Sequence, residues 1–300
     1  MYCVPTRIGW GAFLGLKTIV RKAFGPESET ARRILDQAQR LRRPLTSALL
    51  ELPRPWLNPD QSLMVVWSAK SASSLAFIWY LATVGRLEDF RASGMSPHEY
   101  RGVRLARSDI VRRGKTKLLD DYWIVHIFRD PYLRAVSSYR HALATGYADK
   151  RFGAAKAGLL DRDAGFSFSR YLDYLETIDL RRANVHHRLQ FHRVETIKRP
   201  DTVINISRQN LLVELSQLED ERGMPRTDFG SFGPFLKTEE KRRAKVTPFG
   251  GKDMTEVALD AVAAQGRAAW PTYEQLLNAT TRRRIERLYA DDFAAFGDYI

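Results

Sequence analysis

A chain of 300 residues with 44% apolar and 28% charged residues has an ordinary globular balance and can bury a sizeable core, which excludes collagen, a disulfide scaffold and wholesale disorder. Its 48 lysines and arginines against 35 acidic residues leave a net charge of +13. That surplus favours polyanionic partners without choosing among nucleic acid, an acidic membrane face and a phosphorylated or sulfated small molecule.

Cys3 is the single cysteine, so no intrachain disulfide and no cysteine-built zinc site can form, as suits a reducing compartment. Residues 1–60 read as a basic, helix-containing extension with Arg32, Arg33, Arg40, Arg42 and Arg43, ending in Pro53, Pro55 and Pro59. Within it, the apolar stretch 8–20 carries Lys17 and falls well short of the roughly 20 residues that span a bilayer. It reads as an amphipathic helix packed on the domain. Arg21 and Lys22 directly after it keep an interfacial membrane helix as the alternative. The expected location is cytoplasmic, with peripheral contact to the inner face of the membrane through this region as a further expectation.

Residues 61–300 read as a single α/β domain. The apolar run 63–67 has the length and β-branched content of a buried strand, the small-residue turn 68–74 follows, and Leu75, Ile78, Trp79 and Ala82 then recur at helical spacing. Residues 122–128 repeat the plan: strand, the turn Arg129-Asp130-Pro131, then a helix carrying Leu133, Val136, Tyr139 and Leu143. A third unit is the strand 202–206 with a helix bearing Leu211, Leu212, Leu215 and Leu218. Strands alternating with helices predict a parallel sheet with helices on both faces. Residues 223–255, rich in glycine, proline and lysine, read as a mobile binding loop, and 281–296 as a helix with Ile285, Leu288, Tyr289, Phe293 and Phe296 on one stripe.

Two loops suit phosphates. A strand that runs into small hydroxyl residues and a lysine, then into a helix, presents unpaired N–H groups and a favourable dipole to an anion. Lys70, Ser73 and Ser74 occupy those places. The pattern G-x-x-x-x-G-K-(S/T) is absent, because no glycine lies between Asn58 and Gly85, and this counts against an ordinary kinase or ATPase. In the second loop Arg129 leaves its strand at the carboxyl end, where crevices of open α/β sheets lie, and Ser137 follows eight residues later. A guanidinium and a hydroxyl there can share one phosphate. Two such sites on neighbouring strands suggest a nucleotide with phosphates at its 5′ and 3′ positions.

At these residues the chain resembles the sulfotransferases that use 3′-phosphoadenosine 5′-phosphosulfate, most of all the carbohydrate branch. Ser68-Ala69-Lys70-Ser71-Ala72-Ser73-Ser74 looks like the family's 5′-phosphosulfate loop, P-K-x-G-(S/T)-(S/T). Arg129-Asp130-Pro131-Tyr132-Leu133-Arg134-Ala135-Val136-Ser137-Ser138-Tyr139 closely matches its 3′-phosphate motif, R-(D/N/E)-P-(Y/F)-x-R-x-x-S-x-Y. Asn184 to Gln190, with His186, is similar to the H-W-x-P-Q segment of carbohydrate members, and Tyr289, Asp292, Phe293, Phe296 and Tyr299 to their Y-x-x-D-F-x-x-F-x-Y terminus. Among the departures from these patterns are Ala69 for proline, Ala72 for glycine and His187 for tryptophan.

The resemblance implies a P-loop-like three-layer fold, a central parallel sheet flanked by helices, and transfer of a sulfuryl group to a hydroxyl of a carbohydrate or glycoconjugate. It implies that Lys70, Ser71, Ala72, Ser73 and Ser74 hold the 5′-phosphosulfate, that Arg129 and Ser137 hold the 3′-phosphate, and that no metal is required. Lys70 would stabilise charge growing on the bridging oxygen. For the base that takes the acceptor's proton, Glu88 ranks first, His98 second and Asp109 third. His186 and Gln190 fit the acceptor side of the cleft, whereas His126 reads as a sheet histidine and His141 as a helix-face residue. Lys241, Arg242, Arg243 and Lys245 would close over the nucleotide, hold an acidic acceptor or simply be solvated. The alternatives are a P-loop-type nucleotide-dependent kinase, a basic nucleic-acid-binding protein and a non-catalytic relative. The arginines are spread along the chain rather than clustered on one element, so nucleic acid is not the expected partner.

Overall fold

A computed structural model describes residues 10–25, 28–41, 45, 49–145, 165–233, 252–264 and 269–300. Four strands form one open sheet in the order β1 (Trp56–Asn58), β2 (Leu63–Trp67), β3 (Trp123–Phe128), β4 (Thr202–Asn205). β2–β3 and β3–β4 are parallel, with Val65 opposite Val125 and Ile127 opposite Ile204, while β1 pairs with β2 antiparallel. All five residues of β2 are buried, because both faces of the sheet are covered; hence its unbroken apolar run.

Leu63, Val65 and Trp67 of β2, Val125 and Ile127 of β3, and Ile204 of β4 pack on one face with α3 (Ser73–Thr83) and α9 (Leu211–Glu221). Met64, Val66 and Ile124 point the other way, onto Leu45, Leu50, Val194 and Ile197. Six consecutive residues of α3, Ala76 to Leu81, are buried, and the indole of Trp79 donates to the buried Glu219 on α9 at 2.7 Å. Next to the sheet, α7 (Pro131–Thr145), α8 (Phe168–Glu176) and α12 (Ala279–Leu288) build a second core around Tyr139, Tyr171, Trp270 and Ile285.

The remaining helices are α1 (Trp10–Phe24), α2 (Glu29–Leu41), α4 (Leu87–Ser93), α5 (Pro97–Val103), α6 (Asp109–Thr116), α10 (Ala261–Ala264), α11 (Tyr273–Leu276) and α13 (Ala290–Phe296). α6 covers the sheet edge at β1. A Cβ on Gly114 would stand 2.7 Å from that of Leu57, so glycine permits this approach. Among the described residues no helix is long and apolar enough to cross a membrane.

Four expectations need correction. The sheet is mostly rather than wholly parallel, and it begins at Trp56, inside the segment read as an extension. Prolines at 53, 55 and 59 flank that three-residue strand, and proline is tolerated at a sheet edge, so composition concealed it. Leu45 and Leu50 of the same segment are core residues. The helix expected over 281–296 is interrupted at Tyr289, which ends α12 and precedes α13. Finally, the loop reading of 223–255 fails at its start, where Met224 and Phe232 are buried against α3 and α9. Lys241, Arg242, Arg243 and Lys245 lie outside the described residues.

Candidate functional site

The carboxyl ends of β2 and β3 open into two loops, and one side chain joins them. Ser68 and Ser71, both buried, stand with their hydroxyls 2.6 Å apart and donate to Oε1 of Gln190 at 2.9 and 3.1 Å. The same oxygen accepts the backbone N–H of Arg129 at 3.0 Å, and the Gln190 amide donates to the Arg129 carbonyl at 2.8 Å. A buried carboxamide saturated in this way fixes the spacing of the loops, because releasing either would strand polar groups without water.

Gln190 is itself held from below. Its backbone N–H donates to the Asp292 carboxylate at 2.8 and 3.0 Å, as does that of Phe191 at 2.8 Å. Asp292 lies on α13 and is fully buried; burial raises its pKa, while Arg134 and the backbone donors oppose that rise. The Tyr289 hydroxyl donates to the His187 carbonyl at 2.9 Å. The buried Arg134 donates from Nε to the carbonyl of Ala69 at 3.0 Å, tying α7 to the first loop.

The first loop has an unusual backbone. Lys70 has φ 70°, and Ala72 has φ 51° and ψ 27°, left-handed conformations that glycine adopts without penalty and alanine does not. α3 then starts with no side-chain cap. α7, by contrast, is capped by Asp130, whose carboxylate accepts the N–H groups of Tyr132 at 2.8 Å and Leu133 at 3.3 Å. Of the helix starts after β2 and β3, α3 is the one without a side-chain cap, open to an anion.

Around that start the charge is positive. The Arg129 guanidinium donates to the carbonyl of Lys70 at 3.3 Å and to the Tyr273 hydroxyl at 2.7 Å. Lys70, Ser71, Ala72, Ser73, Ser74 and Arg129 are therefore brought together. Ser137 lies two turns into α7, between Arg134 and His141 at helical spacing. The rings of His141 and His186 face each other with centroids 4.1 Å apart. Burial first, and then the Lys70 charge, hold His141 down to about 3; burial, with His141 and Lys70 behind it, holds His186 down to about 2. Both rings are thus neutral at pH 7.

The three residues ranked as bases make their hydrogen bonds and ion pairs outside these two loops. Glu88 is exposed on α4 and paired with Arg91 at 2.5 Å. Its helix follows the far end of α3, where Thr83 is bonded by Asn58 of β1; eleven residues of helix put Lys70 about 16 Å away. His98 is exposed on α5 with its Nδ1 3.0 Å from Arg101, whose guanidinium lies 4.2 Å from the Trp67 ring. Asp109 is in an exposed ion cluster with Arg112, Arg113 and, through Arg113, Asp60. None of the three belongs to the network around Gln190. His126 is a buried, hydrogen-bonded sheet histidine, with Nδ1 2.5 Å from Glu195.

Sequence reasoning missed Tyr273 and the pairing of His141. The first had no motif around it. The second had a signal, the four-residue step from Ser137, which places both on one helix face. No family model, no curated protein and no solved structure matches this chain.

Proposed function

We propose that this chain transfers a sulfuryl group from 3′-phosphoadenosine 5′-phosphosulfate to a hydroxyl, of the carbohydrate or glycoconjugate class, on a P-loop-like α/β fold. The observation that carries the reading is the Gln190 network. Four segments separate in the sequence, each resembling a part of one family pattern, meet through Ser68, Ser71, Arg129, Gln190 and Asp292. Ala72 supports it independently, because the position where the family pattern has glycine takes the left-handed backbone that glycine serves.

On this reading the open start of α3, with Ser73 and Ser74, receives the 5′-phosphosulfate, and Arg129 with Ser137 receives the 3′-phosphate. The transfer is an in-line displacement. An acceptor oxygen attacks sulfur while the bond to the 5′-phosphate breaks, and Lys70 offsets the charge that grows on the bridging oxygen. The donor set is cationic and hydroxylic, which suits phosphate and sulfate oxygens.

Calorimetry with Arg129→Ala tests the assignment. Loss of a charge-assisted contact should weaken 3′,5′-adenosine bisphosphate by about 10- to 100-fold and leave AMP little changed. Equal weakening of both nucleotides contradicts it. Lys70→Ala should lower donor turnover by about 100-fold or more beyond its effect on binding. Exposed Ile19 and Phe24 beside Arg21 and Lys22 on α1 support the peripheral membrane contact. Vesicles containing anionic lipid should co-sediment the native chain and not an Ile19→Glu/Phe24→Glu variant; equal sedimentation removes that contact.

A further inference from the structure

The acceptor hydroxyl must lose a proton as sulfur is transferred, and none of Glu88, His98 and Asp109 is in the loop network that holds Lys70. The structure instead puts two imidazoles there. His141 comes from α7, one turn after Ser137, and His186 from the segment that ends in Gln190. His186 is held at both backbone groups: its N–H donates to Asn184 Oδ1 at 3.1 Å and its carbonyl accepts from the Ser138 hydroxyl. The two rings face each other at 4.1 Å, inclined by 48°, and both residues are half-buried rather than sealed in the core.

We infer that the apposed rings of His141 and His186, joined to the Lys70 loop by Arg134, which donates to the carbonyls of both Ala69 and Val185 at 3.0 and 3.4 Å, take the proton from the attacking hydroxyl, an inference that rests on the sulfuryl-transfer reading above. The hydroxyl oxygen forms the new O–S bond as the S–O bond to the 5′-phosphate breaks. That electron pair leaves on adenosine 3′,5′-bisphosphate. The proton passes to an imidazole nitrogen and returns to water as the products depart. The titratable groups bearing on the pair are the cations Lys70 and Arg134 and the neighbouring imidazole of His187, itself held neutral by burial. Burial first, and then these cations, keep both rings uncharged before the donor binds, which is the state a proton acceptor needs. An anionic donor against Lys70 offsets part of that repulsion, so the rings become more basic when the proton has to be accepted.

The test measures release of 3′,5′-adenosine bisphosphate from the donor, with water and with a panel of mono- and oligosaccharides as acceptors, beside calorimetry of bisphosphate binding. His141→Ala/His186→Ala should lower release by about 100- to 10,000-fold with bisphosphate affinity kept within about threefold, and added imidazole should restore part of the rate. Should that variant not fold, His141→Asn and His186→Asn read the same loss singly. Glu88→Gln and His98→Gln should leave release unchanged. Release that survives in the histidine variants overturns the inference while the donor site stands. Failure of the native chain to bind bisphosphate overturns the reading beneath it. Binding with no release above a buffer control also overturns the inference, leaving a site that holds the nucleotide without catalysing transfer.

Discussion

Replacing Ala72 with glycine isolates the backbone claim from the chemistry. A left-handed conformation costs an L-residue about 1–2 kcal/mol, and Ala72, at φ 51° and ψ 27°, bears that cost while glycine would not. Two losses oppose the gain. Glycine adds unfolded-chain freedom worth about 0.4–1 kcal/mol. Removing the methyl also forfeits part of a contact worth about 0.8 kcal/mol when fully buried, and Ala72 is only partly buried against the α3 core. The balance runs from a loss of about 0.4 kcal/mol to a gain of about 1.2 kcal/mol, or up to about 3 °C in melting temperature. Ala76→Gly is the control: Ala76 is a buried interior residue of α3, so glycine should cost about 1 kcal/mol or more. Urea and thermal unfolding of the two variants beside the native chain give the comparison. If Ala72→Gly destabilises as much as Ala76→Gly, the loop does not have the left-handed geometry from which the anion site was built.

Two further outcomes follow from the same geometry. Gln190→Leu removes the partner of Ser68, Ser71 and both backbone groups of Arg129, and should cost about 2–4 kcal/mol in denaturant unfolding; a change under about 0.5 kcal/mol contradicts its role as the tie between the loops. Acid should destabilise the fold. Burial, and then neighbouring positive charge, hold His141 to about 3, His186 to about 2 and His187 to about 3, below the unfolded value near 6.5. The unfolded chain therefore binds protons first, and stability is complete above about pH 6.5 and falls as pH drops. Each ring contributes at most about 1.4 kcal/mol per pH unit, less for half-buried His141 and His186, where solvent screens the charge. Asp292, raised by burial, acts in the opposite sense. The net loss should reach about 3 kcal/mol by pH 5 in urea melts. A midpoint unchanged between pH 7.5 and 5 refutes the neutral-histidine cluster.

The three parallel strands were legible because each is a short apolar run followed at once by a turn and a helical period. β1 was not, since three residues between prolines carry no periodicity and gain their place only by pairing with Leu63, Met64 and Val65. The loops around Lys70 and Arg129 could be placed from spacing, because each lies directly between a short apolar run and a helical period. What tied them together could not. Gln190 and Asp292 stood out as echoes of a pattern, but their hydrogen bonds run between residues some hundred positions apart, and only tertiary packing makes such partners. The same limit applies to Glu88, which follows the first helix downstream of the Lys70 loop and which α3 carries to the other end of the sheet. His141 is a helix-face residue of α7, and nothing local shows that residues 184–190 lie across that face.

The most direct test is a thermal-shift comparison of 3′,5′-adenosine bisphosphate, AMP and ATP-Mg with the native chain. A ligand held at about 100 times its dissociation constant stabilises the folded state by about 2.7 kcal/mol, several degrees for a chain of this size. The account predicts a shift with the bisphosphate, little with AMP and none with ATP-Mg. A shift with ATP-Mg alone, or none with any of the three, contradicts it.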